Sequence, residues 1–464
     1  MYFELIYDKS LAHASYFIGC QAEGVAAVID PKRDVDVYIE IAKKQNMKIT
    51  HVLETHIHAD FLAGSREIAA LTRAQMYLSD EGGEGWEYEF ENNKLKHGDV
   101  IKMGNLEFEV VHTPGHTPES ISFLLTDKPA SSEPVMYFTG DFVFVGDIGR
   151  PDLLEKAAGM IGTADAGAIQ MYDSIKSFSE LPDYIQVWPA HGAGSACGKA
   201  LGAVPSSTVG YEKIRNWAFQ YENDKKGFID YLLLDQPEPP KYFAMMKSLN
   251  KIPRKLMTEV PKLKEMNAFD FNNSFSKGIK LFDAREKQDF AKGFIPGSIN
   301  TPASDNFFAT KVSLYVNYEE EIMLLADESQ IEELTRKLMR IGLDNVKGFI
   351  TSTDAYDGEL NSVKFVTIEE TIDLKDKGTL VVDLRGASEY NEGHIEGAIN
   401  VYFGTIEENL DQIPKDEPVV IHCQSGHRAS IGYSVLVKNG HNNILNFSGG
   451  MDEWMSKNSQ VMTV

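Results

Sequence analysis

The side chains best suited to chemistry fall into two sets. The first opens with Thr55-His56-Ile57-His58-Ala59-Asp60. It continues with His112-Thr113-Pro114-Gly115-His116-Thr117, Thr139-Gly140-Asp141 and Trp188-Pro189-Ala190-His191-Gly192. Neutral imidazoles and carboxylates are the donors that zinc and iron take. The second set is Cys423-Gln424-Ser425-Gly426-His427-Arg428, where a cysteine stands at the start of a helical pattern. Unpaired backbone N–H groups and the helix dipole favour a thiolate there, and Arg428 and His427 add positive charge. The same cradle suits a persulfide anion, sulfite or thiosulfate.

Each member of the first set follows a short apolar run. KITHVLE (48–54) precedes His56, EFEVV (107–111) precedes His116, VMYF (135–138) precedes Asp141 and IQV (185–187) precedes His191. Four strand-end loops in a chain that alternates strand and helix imply one metal centre at one edge of a sheet. YFELIYD (2–8), ASYFIGC (14–20) and GVAAVID (24–30) read as further strands. DVDVYIEIAKKQN (34–46) and LAGSREIAALTRA (62–74) read as helices. The acidic EGGEGWEYEFENN (81–93) reads as a solvated surface loop. Cys423 follows the buried-strand pattern PVVIH (418–422), and helical periodicity resumes with Ala429, Ile431, Tyr433, Val435 and Leu436.

The second half repeats itself. DAREKQDFAKGFIPGSIN (283–300) aligns with DLRGASEYNEGHIEGAIN (383–400) at a constant offset of 100 residues. Asp283/Asp383, Arg285/Arg385, Gly293/Gly393, Ile295/Ile395, Gly297/Gly397, Ile299/Ile399 and Asn300/Asn400 are identical. Two copies of one domain-sized fold follow. The prolines in 235–256 and the stretch 354–365 mark breaks, which places domains over 1–245, 255–355 and 360–464. In the first copy the strand pattern Ile322–Ala326 leads to Asp327, where the second copy has Cys423. An aspartate there repels an anionic substrate, so the first copy is expected to be inactive and structural.

The ordered motifs THIHAD, HTPGHT, TGD and PAHG resemble those of the metallo-β-lactamase superfamily over residues 1 to about 240. The resemblance implies an αββα sandwich with the metal at one edge of its two sheets. Dinuclear members end the first motif with DH, and Phe61 stands at that histidine's position, which points to a mononuclear site. The mononuclear persulfide dioxygenases of this superfamily are similar to the chain in these motifs. That resemblance implies His56, His116 and Asp141 as ligands, with His58, Asp60 and His191 around them. Two histidines and a carboxylate form the facial triad of non-haem Fe(II) oxygenases, and zinc binds the same donors. Gly149-Arg150-Pro151-Asp152 resembles a family segment whose arginine lines the substrate entrance; a salt-bridged Arg150 is the alternative. Cys197, in the glycine-rich stretch after His191, is either a persulfide-forming substrate contact or a buried core cysteine.

Residues 360–464 resemble rhodanese. The resemblance lies in the Cys423 loop and in DLR (383–385), HIEGAIN (394–400) and GGMDEW (449–454). It implies that Cys423 and Arg428 are catalytic and that Gln424, Ser425, Gly426 and His427 form the substrate cradle. A phosphatase loop of the CxxxxxR type is excluded by register, because Arg428 comes one residue early.

The whole chain then reads as an α/β protein: an αββα metallo-β-lactamase sandwich followed by two rhodanese-like domains. It resembles bacterial fusions of a persulfide dioxygenase with rhodanese. The expected cofactor is one Fe(II) per chain, and the expected substrates are a thiol persulfide and O₂, with sulfite and thiosulfate as products. The rival expectation is a zinc-dependent thioester hydrolase of the glyoxalase II type. A net charge of −24 argues against nucleic acid and against anionic membrane. The first twenty residues show no signal-peptide pattern, and three scattered cysteines suit a reducing, cytoplasmic setting. A homo-oligomer is expected.

Overall fold

Runs that are apolar on both faces must lie between layers, and the first sheet of the chain shows this. The computed structural model describes every residue except 159–161, 200, 235, 237–238, 458–461 and 463–464. The proline-rich break therefore lies partly outside the described residues, at Asp235, Pro237 and Glu238. The chain divides into two units, Met1–Val260 with Met339–Gly342, and Pro261–Leu338 with Leu343–Val464.

In the first unit, six strands form one sheet in chain order: Tyr2–Asp8, His13–Cys20, Val25–Ile29, Lys48–Leu53, Gln75–Ser79 and Asn93–Leu95. The first three run antiparallel and the remainder join in parallel, with the helices Asp36–Lys44 and Ser65–Thr72 as crossovers. The second sheet has the order Ser207–Thr208, Gln186–Pro189, Met136–Gly140, Ile121–Asp127, Leu106–His112, Val100–Met103. Between the sheets Tyr16, Ile18, Ala27 and Leu53 meet Phe108, Val110, Phe123 and Phe138, all buried. Tyr38, Ile41 and Ile68 close the outer face of the first sheet. Ala168, Met171, Ile175 and Phe228, from Thr163–Ser179 and Lys225–Leu233, close that of the second. The layers are αββα, as expected.

The second unit holds two parallel sheets of one design. The first runs Ile299–Asn300, Lys280–Asp283, Ile322–Leu325, Val346–Ile350. The second runs Ile399–Asn400, Leu380–Asp383, Val419–His422, Ile444–Phe447 and adds Phe365–Val366. The residues identical between the copies build the same clasp twice. Arg285 binds Asp283 while Asn300 Nδ2 donates to the carbonyls of Asp283 and Arg285. Arg385, Asp383 and Asn400 repeat each contact.

Two expectations are corrected. Asp283 pairs with Leu325 and Asp383 with His422, so the counterpart of Cys423 is Ala326 and not Asp327. The helix then starts at Glu328 in the first copy and at His427 in the second. Two residues separate strand end from helix in the former and four in the latter, so the first copy has the shorter loop in which to cradle an anion. The acidic segment 81–93 is not merely solvated either. Trp86 and Tyr88 are buried against Ile57 and Leu78, and Tyr88 donates a hydrogen bond to Glu54. Among the described residues no helix is long and apolar enough to cross a membrane.

Candidate functional site

The loop after Lys48–Leu53 is fixed by its neighbours. Asp30 accepts from the Thr55 N–H at 2.7 Å and from its hydroxyl at 2.8 Å, and Glu119 accepts from Ile57 N–H at 2.8 Å. His56 and His58 flank that anchored peptide. Gly149 brings the neighbouring loop close: a Cβ there would stand 1.8 Å from the Asp141 carbonyl oxygen, which requires glycine.

The four strand-end loops converge. His56, His116 and Asp141 are buried, and their ligand atoms lie within 4.8 Å of one another. His116 Nδ1 donates to the Arg150 carbonyl at 2.9 Å, which leaves the Nε2 lone pair of the neutral ring facing Asp141 Oδ2 at 3.4 Å. His56 Nε2 stands 3.9 Å from the same oxygen, with its Nδ1 3.0 Å from the Thr55 hydroxyl. Two lone pairs aimed at a buried carboxylate repel one another unless a cation lies between them. His56 Nε2 and both Asp141 oxygens have no hydrogen-bond partner among the described residues. The donor set therefore fits a divalent metal ion. Burial pushes His56 and His116 down towards the neutral, ligating form. Burial opposes ionisation of Asp141, but the surrounding histidines, His191 foremost, overcome it and hold the carboxyl well below its usual range.

His191 belongs to a second buried group with Asp60 and Cys197. Its Nδ1 is 3.0 Å from the Ala12 carbonyl, and its Nε2 is 3.3 Å from both Asp60 and Asp141. Burial raises Asp60, and burial followed by the charges of Asp141 and Asp60 raises the Cys197 thiol. His58 points elsewhere, with Nε2 3.2 Å from Asp30. Burial disfavours its charge, yet Asp30 outweighs that and moves His58 up to about 9. Phe61 is fully buried, its ring 4.2 Å from that of His13 and 4.4 Å from that of His58.

Arg150 takes the salt-bridged alternative. It is fully buried and bound through two hydrogen bonds to Asp152, at 2.6 and 2.7 Å. What it offers the cluster is its carbonyl, the anchor of His116.

In the second unit Cys423 lies at the base of its loop, 1% exposed, and its sulfur accepts from the N–H of Gly426 at 3.1 Å and of Ala429 at 3.4 Å. Gly426 is in the left-handed region with φ 90°, which a side chain would strain. Gln424 is held between Arg385 and Asp452. Ser425 and His427 are exposed, and burial, then the charge of Lys287, pushes His427 down. Arg428 is not a free cation, because Glu389 binds it through two hydrogen bonds.

Sequence reasoning missed Asp30, Glu119 and Glu389. Glu389 sits inside the repeated motif, but its partner Arg428 lies 39 residues away on another helix, so the sequence did not announce the pair. Asp30 and Glu119 carried no signal either, because their partners lie 25 and 62 residues away.

Residues 10–191 match the metallo-beta-lactamase superfamily and residues 367–457 match the rhodanese-like domain. A solved metallo-beta-lactamase from Staphylococcus aureus subsp. aureus COL is similar at 46% identity and a TM-score of 0.70, over 75% of this chain and 98% of that one. A hydroxyacylglutathione hydrolase of Rhodospirillum rubrum is 31% identical over 38% of this chain. The match spans 60% of that relative's length. The structure of ETHE1 from Myxococcus xanthus is matched at 29% identity over 53% of this chain and 100% of that one, with a TM-score of 0.43.

Proposed function

The chain belongs to the metallo-beta-lactamase superfamily, and from that premise we propose that it is a non-haem Fe(II) persulfide dioxygenase joined to a rhodanese sulfurtransferase. The observation that carries this reading is a pairing within one chain. A buried cluster of two histidines and one carboxylate accompanies a cysteine whose sulfur is cradled by backbone N–H groups.

Bound at His56, His116 and Asp141, Fe(II) supplies the oxygen chemistry that converts a persulfide, O₂ and water into a thiol, sulfite and two protons. The protein's own part is positioning. The Arg150 and Ala12 carbonyls fix the tautomers of His116 and His191, and Asp30 and Glu119 hold the loop that carries His56. Phe61 is packed between His13 and His58 and offers no ligand atom, which favours a single metal. At Cys423 the chemistry is sulfur exchange. Sulfite attacks the outer sulfur of a Cys423 persulfide, the S–S bond breaks, and thiosulfate leaves with the electron pair returned to the Cys423 thiolate. The N–H groups of Gly426 and Ala429 hold the sulfur's negative charge, and the Arg428–Glu389 pair braces the loop.

A second reading has its own observation. Asp60, His191 and Cys197 form another buried donor group beside the first, and the curated relatives include hydroxyacylglutathione hydrolases. A dinuclear zinc thioester hydrolase fits those facts. Metal analysis of anaerobically purified protein separates the two. Iron near one per chain with oxygen uptake on glutathione persulfide supports the dioxygenase; two zinc per chain with thioester hydrolysis and no oxygen uptake overturns it.

A further inference from the structure

The Cys423 loop turns three consecutive carbonyls away from the sulfur, and each has its own donor. Met451 N–H donates to the Cys423 carbonyl at 2.9 Å and Asp452 N–H to the Gln424 carbonyl at 3.2 Å. Both donors belong to the helix Gly450–Lys457 of the same copy. The third carbonyl, that of Ser425, accepts from Lys287 Nζ at 2.7 Å. Lys287 lies on the other copy, the one without a cysteine, at the start of the helix Lys287–Lys292.

The Ser425–Gly426 peptide is the one that matters for the sulfur. Its carbonyl end meets Lys287, and its N–H end donates to Cys423 Sγ at 3.1 Å. The peptide is planar, so fixing one end fixes the other. Gly426 is free to adopt many backbone angles, and a rotated peptide would show the sulfur an oxygen in place of an N–H. The ammonium also polarises the amide it binds, which strengthens the donor at the far end.

On the sulfurtransferase reading above, we infer that Lys287 is a positioning residue of the Cys423 site, contributed by the cysteine-less copy. Its charge is not spent elsewhere. Lys311 is paired with Asp305 and Arg428 with Glu389, whereas Lys287 makes no ion pair among the described residues. The surface between the copies is built to hold this geometry. Ser430 donates to Asn300 Oδ1 at 2.6 Å and Asn300 N–H donates to Ser434 at 3.2 Å, so the helix that follows Cys423 is tied to the first copy at two further points.

The test compares the full-length wild type with Lys287→Met and Lys287→Arg. Two rates are read at Cys423 by peptide mass: alkylation by neutral iodoacetamide, and appearance of the persulfide from thiosulfate. Thermal unfolding is followed in parallel. Lys287→Met is expected to slow both rates about three- to tenfold, the loss of one charge-assisted hydrogen bond to the loop, with the unfolding midpoint unchanged. Lys287→Arg, which still donates to the carbonyl, is expected to return both to within about threefold of wild type. A Met variant that alkylates at the wild-type rate overturns the proposal, as does a slowed Met variant that Arg does not rescue. A wild type that gains no persulfide from thiosulfate overturns the sulfurtransferase reading alone, because the alkylation rates still decide the role of Lys287.

Discussion

At the scale of single residues, Glu119 is a buried acid that anchors the loop carrying His56 without belonging to the donor cluster. It is fully buried, its Oε1 accepts from Ile57 N–H, and burial moves it up to about 7. A folded-state value above the ordinary 4.5 means that the folded protein keeps a proton that the unfolded chain has released. The resulting stability is fully present below about 4.5 and is lost as pH rises through about 7, a difference of about 3 kcal/mol. Glu119→Gln keeps an acceptor for Ile57 and has nothing to titrate. Urea unfolding at pH 5 and pH 8 should show the wild type losing stability relative to this variant across that interval; parallel curves would refute the assignment. The ligand types were legible in the sequence because histidine and aspartate at strand ends announce themselves. Their anchors were not, since Asp30 and Glu119 are ordinary acids until folding brings their partners close.

At the scale of elements, the longer strand and helix patterns of the first 140 residues were legible because each run buries one or both faces, while the short strands Gln75–Ser79, Asn93–Leu95 and Val100–Met103 were not. What periodicity could not supply was register. The position equivalent to Cys423 is settled by which residue pairs with Asp283, and that is a long-range fact. The consequence can be measured. Ala326→Cys in the Cys423→Ser background puts sulfur at the matching position, yet only Asp327 separates it from the helix that begins at Glu328. No sulfurtransfer is expected, and activity above about 1% of wild type would show that the longer loop is dispensable. Gly149→Ala tests backbone approach in the same way. A Cβ 1.8 Å from the Asp141 carbonyl must displace that loop, so loss of metal and a cost of about 2 kcal/mol in unfolding free energy are expected.

At the scale of the whole molecule, the proposed metal chemistry and the proposed sulfur chemistry fall in different units. His116→Ala should lose metal and oxygen uptake while sulfurtransfer at Cys423 persists. Cys423→Ser should do the reverse, with oxygen uptake kept and the product shifted from thiosulfate to sulfite, measured by ion chromatography. Cys197→Ser is the comparison, with a smaller effect expected on sulfurtransfer. Thiosulfate formed at the wild-type rate by Cys423→Ser would remove the loop from the sulfur path. The clasp of aspartate, arginine and asparagine, built twice, has a bearing on the history of the chain. Seven identities link the repeated segments, and the clasp residues are among them, while the cysteine is not. After a duplication, the copies would answer to different selection: both must fold, and on the proposed reading only one must react. Resemblance between such paralogous halves then records shared architecture and is silent about shared catalysis, so descent from an active ancestor can outlast the activity itself.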